Sequence, residues 1–180
     1  MFTSNKVRLR PPEITDIDLI YDWENNPEVW MISDTHAPFS KFVLKKYLEM
    51  AHLDIYQTGQ LRMMIEATDT PDEKYPTIGT IDIFDFDPYH LRCGIGILIA
   101  DTKYRRKGYA AEAIRLMLDY CFKTLGCLQV YCNIPSDNVP SLNLFRKIGF
   151  ETAGCRRKWL NSPNGWIDDF MMQIFNPGKK

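Results

Sequence analysis

At 180 residues and 45% apolar composition, the chain is long enough to bury the core of one domain spanning residues 1–180. A net charge of −1, from 22 basic and 23 acidic residues, gives no overall basic field and excludes bulk nucleic-acid binding. No apolar run reaches the ~18 residues of a membrane span, and the opening Met1 to Lys6 lacks the apolar core of a signal peptide.

The five cysteines, Cys93, Cys121, Cys127, Cys132 and Cys155, form no Cys-x-x-Cys or Cys/His spacing. They read as reduced thiols, so a cytoplasmic protein with no metal and no membrane partner is expected. Val7-Arg8-Leu9-Arg10 alternates like a short strand and stops at Pro11-Pro12. Thr15 or Asp16 can cap a helix carrying Ile17, Ile20 and Tyr21, which Asn25-Asn26-Pro27 interrupts. Val29 to Pro38 reads as an irregular connection, and Phe42 to Ile55 has helical spacing. Strands are predicted at Leu61 to Ala67, Thr77 to Phe84 and Cys93 to Ala100, the first two joined by a polar hairpin loop over Thr68 to Pro76.

Gly108 to Leu125 carries the chain's best helical stripe, from Ala110, Ala113 and Ile114 through Met117, Leu118 and Cys121, and Gly126 stops it. A strand over Leu128 to Ile134 follows. Asp137 or Asn138 then caps a short helix ending at Gly149, and Phe150 to Leu160 and Trp166 to Phe175 form a last pair of strands. Strands in sequence, then two helices each linking strands, predict a mixed sheet flanked by helices.

The most informative stretch is Tyr104-Arg105-Arg106-Lys107-Gly108-Tyr109-Ala110, placed between a predicted strand and that best helix. Gly108 and Ala110 let backbone N–H groups approach an anion, and the helix's first-turn amides and dipole favour one there. It is not a Walker loop, since no Gly-Lys-Ser/Thr follows, and no Gly-x-Gly-x-x-Gly marks a dinucleotide fold.

Gly94-Ile95-Gly96-Ile97-Leu98-Ile99, followed by Arg105-x-x-Gly108-x-Ala110, resembles the acetyl-CoA signature of the GNAT N-acetyltransferases. Asn133, the run from Asn138 to Phe150 and the opening Val7-Arg8-Leu9-Arg10-Pro11 agree with it, so the resemblance covers nearly the whole chain. It is nearest the branch of spermidine/spermine and ribosomal-protein alanine N-acetyltransferases. The resemblance implies the GNAT fold, a mixed, mostly antiparallel central sheet flanked by helices. It also implies acetyl-CoA as cosubstrate, direct attack by an amine in a ternary complex, and a homodimer as in many relatives. The acceptor would be a polyamine or diamine, or a protein N-terminus. The alternative is a non-catalytic acyl-CoA-binding module on the same fold.

For individual residues, the resemblance assigns the pyrophosphate to the amides of Arg105, Arg106, Lys107, Gly108, Tyr109 and Ala110. It pairs the pantetheine arm with the backbone of Ile97, Leu98 and Ile99, and the Leu98 amide would polarise the thioester carbonyl. Asn138, Asn133 and Phe145 would also lie along the cofactor. At two positions the chain departs from the polyamine branch. The tyrosine that serves as acid there is Phe145, and the glutamate on the fourth strand is Gly94. Ser141, one turn before Phe145, is the substitute candidate for the acid, and Asp82 for the base. Asp82 also reads as an outward-facing strand residue, Ser141 as a first-turn helix serine, and Asn138 as a helix cap. Glu24, Glu28, Asp34 and Glu66 are candidates for an acidic acceptor site, with Trp30 and Tyr131 lining it.

Overall fold

The computed structural model describes residues 2–33, 37–50, 53–70 and 75–179, with backbone alone for 31–33. Among these residues eight strands form one sheet: β1 (Phe2–Thr3), β2 (Val7–Arg10), β3 (Leu61–Ala67), β4 (Thr77–Asp87), β5 (Arg92–Ile99), β6 (Gln129–Pro135), β7 (Glu151–Ser162) and β8 (Gly165–Phe175). Their order is β1-β2-β3-β4-β5-β6-β8-β7, and every neighbouring pair is antiparallel except β5 and β6. That parallel step is where the chain leaves the sheet through a helix before it re-enters, as a parallel connection requires.

Among the described residues six α-helices accompany the sheet: α1 (Ile17–Glu24), α2 (Pro27–Ser33), α3 (Lys41–Glu49), α4 (Ile55–Thr58), α5 (Tyr109–Lys123) and α6 (Val139–Ile148). In α5, Ala113, Ile114, Met117, Leu118 and Cys121 recur at helical spacing and are buried. They pack on the sheet face formed by Val7, Leu9, Met63, Ile65, Ile81, Ile83 and Ile95. Each such side chain contributes about 1.5–3 kcal/mol by leaving water. Helix α5 touches β2, β4, β5 and β6, and α6 packs beside it. On the opposite face Met64 is covered by Ile20 of α1 and by Leu44 and Leu48 of α3.

Two expectations are corrected. Residues 29–33 are helical rather than irregular, because Pro27 opens α2 where its fixed φ and missing N–H suit a first helical turn, while 37–38 are irregular as expected. Of the expected irregular stretch, residues 34–36 lie outside those described. The helix expected over Phe42 to Ile55 is two helices: α3 ends at Glu49, and Asp54 and Gln57 form a capping box that starts α4 anew.

The edge of the sheet nearest the N-terminus carries a buried charge network. Glu66 accepts from Arg8 at 2.5 Å and from Arg10 at 2.6 Å, and Arg10 grips Asp16 with two bonds of 2.7 Å. Burial works to raise the Asp16 pKa, but the bonds from Arg10 and the Glu13 amide outweigh it and hold the carboxyl below its ordinary value.

Candidate active site

Strands β5 and β6 pair over three residues alone, Arg92 with Gln129, Cys93 with Val130 and Gly94 with Tyr131. The Leu91 carbonyl, accepting from Leu128 at 2.6 Å, closes this end. Beyond Gly94 and Tyr131 the strands diverge, so the sheet holds a V-shaped opening whose apex is at that last rung.

The backbone groups facing the opening follow from the β4–β5 ladder. Ala100 donates to the directly opposed Ile78 carbonyl at 2.9 Å. In an antiparallel ladder such bonded pairs alternate, so Leu98 and Gly96 also spend their amides on Thr80 and Asp82. The amides turned toward the opening are those of Ile97 and Ile99. The Ile99 carbonyl, accepting from Arg105 Nε at 2.9 Å, confirms the parity. The expectation for the Leu98 amide is therefore corrected by one residue, because its hydrogen bond lies within the ladder.

The basic loop stands at the wide end of the V. Arg106 (φ 61) and Gly108 (φ 92) both take left-handed backbone, which curls the chain so that α5 opens at Tyr109. No side chain caps α5, so its first amides stay available to an anion. Arg105 is spent partly on the strand, with further contact to the Ala100 carbonyl at 3.3 Å. The Tyr109 side chain is buried and donates to Asp69 at 2.7 Å, so its hydroxyl is already engaged.

Three cations that the linear sequence does not connect with this loop stand beside it. Lys6 donates to the Lys107 carbonyl at 3.1 Å, across 101 residues of chain. Lys6, Arg106, Arg115 and Lys147 line a groove of about 340 Å³ between α5 and α6 that begins at Gly108. The spacing Gly108, Ala111/Glu112, Arg115 on one helix face was the signal available for Arg115; the contact of Lys6 depends on the β1–β2 turn.

The apex has different chemistry. Gly94 has no side chain, and the Phe84 ring covers it so closely that a Cβ there would stand 2.2 Å from a ring carbon. Phe84 meets the Tyr131 ring edge-to-face at 5.8 Å. Tyr131 donates to Asp85 Oδ2 at 2.9 Å. Burial, then this bond, pushes the Tyr131 hydroxyl pKa up to about 12. Asp85 sits at φ 48, a strained backbone for a non-glycine residue, at the irregularity where β4 and β5 shift register. Asp85, Tyr131 and Asn133, with Met171, Gln173 and Arg156, border a cavity of about 790 Å³ on the face away from α5. Asp87 on its rim is bonded to His90 at 2.6 Å, and Arg156 is paired with Asp169.

The other expected residues fall as follows. Asp82 shares the face of the apex, but Arg62 holds it at 2.7 Å and also binds Glu24 at 2.6 Å. Burial raises the Asp82 pKa and Arg62 opposes the rise. A carboxylate already bonded to a guanidinium is not a free base, which corrects its placement as the leading base candidate. Among the described residues the acidic acceptor site does not assemble either. Glu24 serves Arg62, Glu66 serves Arg8 and Arg10, Glu28 is exposed on α2, and Asp34 lies outside the described residues. Trp30 is half-buried and donates to the Glu24 carbonyl at 2.6 Å. Asn138 caps α6 by accepting from the Ser141 amide at 3.2 Å, and Ser141 is half-buried in that first turn. Phe145 is a core residue, 3% exposed and edge-to-face with Phe150 at 4.9 Å. Among the described residues no group of three or more His, Cys, Asp or Glu side chains is arranged to hold a metal ion, and no helix is long and apolar enough to cross a membrane.

Comparison with known proteins places this geometry. The Acetyltransferase (GNAT) domain family matches residues 6–151. The spermidine N(1)-acetyltransferase of Escherichia coli (strain K12) is 27% identical over 157 residues, 86% of this chain and 77% of that protein. A probable N-acetyltransferase of Bacillus subtilis (strain 168) is 26% identical over 98% of both chains. Among solved structures, spermidine N-acetyltransferase from Vibrio cholerae in complex with CoA and spermine superposes with a TM-score of 0.83 over 96% of both chains at 20% identity.

Proposed function

This chain belongs to the GNAT acetyltransferase family, and we propose that it carries an acetyl group from acetyl-CoA to a primary amine by direct attack in a ternary complex. The observation that supports this most is the V-shaped opening with an anion-binding loop at its wide end and a separate cavity at its apex. The pyrophosphate of acetyl-CoA lies on the amides of Arg106 to Ala110, with Lys6, Arg115 and Lys147 supplying positive charge around it. The pantetheine arm runs inward from Ile99 past Ile97 and pairs with their free amides as an added strand would. Five residues of strand separate Ile99 from Gly94, about 17 Å, which is the scale of an extended arm. The thioester then arrives near the apex, and a fixed amide of β5 polarises its carbonyl.

The amine enters from the cavity beyond Tyr131 and Asn133, since α5 and α6 occupy the other face. A polyamine or diamine, or a protein N-terminus, is the acceptor; likeness to spermidine acetyltransferases supports the first. Ser141 is the candidate on α6 for protonating the departing thiolate. A second reading, a binding module without turnover, draws on Gly94 and Phe145, where the polyamine branch carries its proton-transfer groups. Four free thiols buried in the core suit a reducing, cytoplasmic location, and a homodimer is proposed as the working state.

The test is release of free thiol from acetyl-CoA with spermidine, putrescine and a peptide bearing a free N-terminus. Thermal stabilisation by acetyl-CoA and CoA but not ATP accompanies it. Absence of stabilisation by CoA refutes the family's chemistry here, whereas stabilisation without thiol release selects the binding module.

A further inference from the structure

The base that the chain lacks at Gly94 has a structural replacement at the apex. Resting on the acetyl-transfer reading above, we propose that Tyr131 relays the amine's proton as the catalytic base of this chain and that Asp85 takes up the proton Tyr131 gives off. Tyr131 occupies the last rung of the β5–β6 ladder, where an arm entering along Ile99 and Ile97 must end. Its ring turns to the cavity face, as the edge-to-face contact with Phe84 over Gly94 shows. The cavity from which an amine can approach is bordered by the same two residues.

The local packing explains why the task moves there. A carboxylate side chain at position 94 has no room, since Phe84 fills that volume. An acid at position 145 would sit in the core against Phe150. Asp82, the other carboxylate on this face, is bonded to Arg62. Asp85, by contrast, forms no salt bridge among the described residues and accepts the Tyr131 hydroxyl hydrogen at 2.9 Å. Its carboxylate reaches across β5 to β6 at the closed side of the V, just beyond the Phe84–Gly94 rung.

The step balances as follows. The amine lone pair forms the C–N bond, and the C–S bond breaks with its electron pair leaving on sulfur. The proton from nitrogen passes to Tyr131 Oη while the Tyr131 proton passes to Asp85. Asp85 returns that proton to solvent, and the thiolate takes one up, so amine and thioester become amide and thiol. The charged groups facing this pair are Asp87 at the end of β4, Arg92 at the start of β5 and Arg156 from β7.

The experiment compares kcat, KM and acetyl-CoA affinity for the parent, Tyr131→Phe, Asp85→Asn and Asp85→Glu, using thiol release with spermidine and with a free N-terminal peptide, and calorimetry for binding. Tyr131→Phe is expected to lower kcat by about 100-fold or more, in the range of lost acid–base catalysis, with acetyl-CoA affinity unchanged. Asp85→Asn is expected to lower kcat by about tenfold with KM unchanged, and Asp85→Glu to recover part of it. A Tyr131→Phe variant within about twofold of the parent overturns the proposal, as does a parallel loss of acetyl-CoA affinity, which would mark a structural role. An Asp85→Asn variant with parental kcat removes Asp85 from the pair and overturns it in that form. If the parent itself releases no thiol with either acceptor, the acetyl-transfer reading falls and this proposal with it. Parental turnover with unaffected variants sinks the Tyr131–Asp85 assignment alone.

Discussion

Placing a methyl group on Gly94 is the sharpest perturbation of the apex. An ideal Cβ there stands 2.2, 2.5 and 2.7 Å from three carbons of the Phe84 ring. Carbon atoms rest about 3.5–4.0 Å apart, so the ring must retreat by roughly 1.3 Å or more. Its retreat is opposed by the edge-to-face contact with Tyr131 at 5.8 Å and by the ladder that fixes Phe84 opposite Gly94. Overpacking of this kind costs about 1–3 kcal/mol. For a chain of this length each kcal/mol lowers the melting temperature by about 2–4 °C. Gly94→Ala should therefore melt about 2–12 °C below the parent in a calorimetric scan. Phe84→Leu removes the obstructing ring edge, so adding Gly94→Ala to it should cost about 1 kcal/mol less than in the parent, a coupling that a double-mutant cycle reads directly. A Gly94→Ala protein melting within about 1 °C of the parent, or a cycle with no coupling, would refute the claim that Phe84 excludes a side chain from this position.

Three further outcomes are expected. Arg62→Met leaves Glu24 and Asp82 facing one another without a cation and should lower stability by about 3 kcal/mol, measured by urea titration. Asp16 is depressed in the folded chain, so its stabilisation is complete above the unfolded pKa and is lost as pH falls through the folded one. Urea midpoints should fall below about pH 4, and Asp16→Asn should flatten that fall. Lys6→Ala and Lys147→Ala should each weaken acetyl-CoA binding by roughly threefold to tenfold at low salt, with the difference shrinking in 0.5 M salt, about where screening reaches contact distance.

Local signals were the legible ones. Leu61 to Ala67 is a strand with the expected ends because its alternation and its flanking polar residues agree, and α5 follows its apolar stripe from Gly108 to the turn before Gly126. Boundaries failed where one residue plays either of two parts. Pro27 reads equally as a breaker or as a first helical residue, and the Asp54–Gln57 capping box is hidden inside a continuous apolar spacing. At the site, the loop from Arg105 to Ala110 was readable because all its parts are adjacent in the chain. The pairings Arg62–Asp82, Lys6–Lys107 and Tyr131–Asp85 join residues 20 to 101 positions apart, and only strand register brings them together. Register also moved the opening-facing amide from Leu98 to its neighbours, since a one-residue step reverses every group along a strand.

The three-rung seam between β5 and β6 has a mechanical consequence. On one side lie β1 to β5, a run of neighbouring antiparallel strands; on the other lie β6, β8 and β7. Few hydrogen bonds join these blocks, whereas α5 packs on β2, β4 and β5 of the first and β6 of the second. The helix thus works as a brace that sets the spacing of two panels. In hydrogen exchange, ladder amides within each panel are expected to be protected together, while those of Ile97 and Ile99 at the unpaired edge exchange early. An anion seated on the first turn of α5 would load the same brace, so the width of the gap and the hold on the ligand's phosphates are borne by one element.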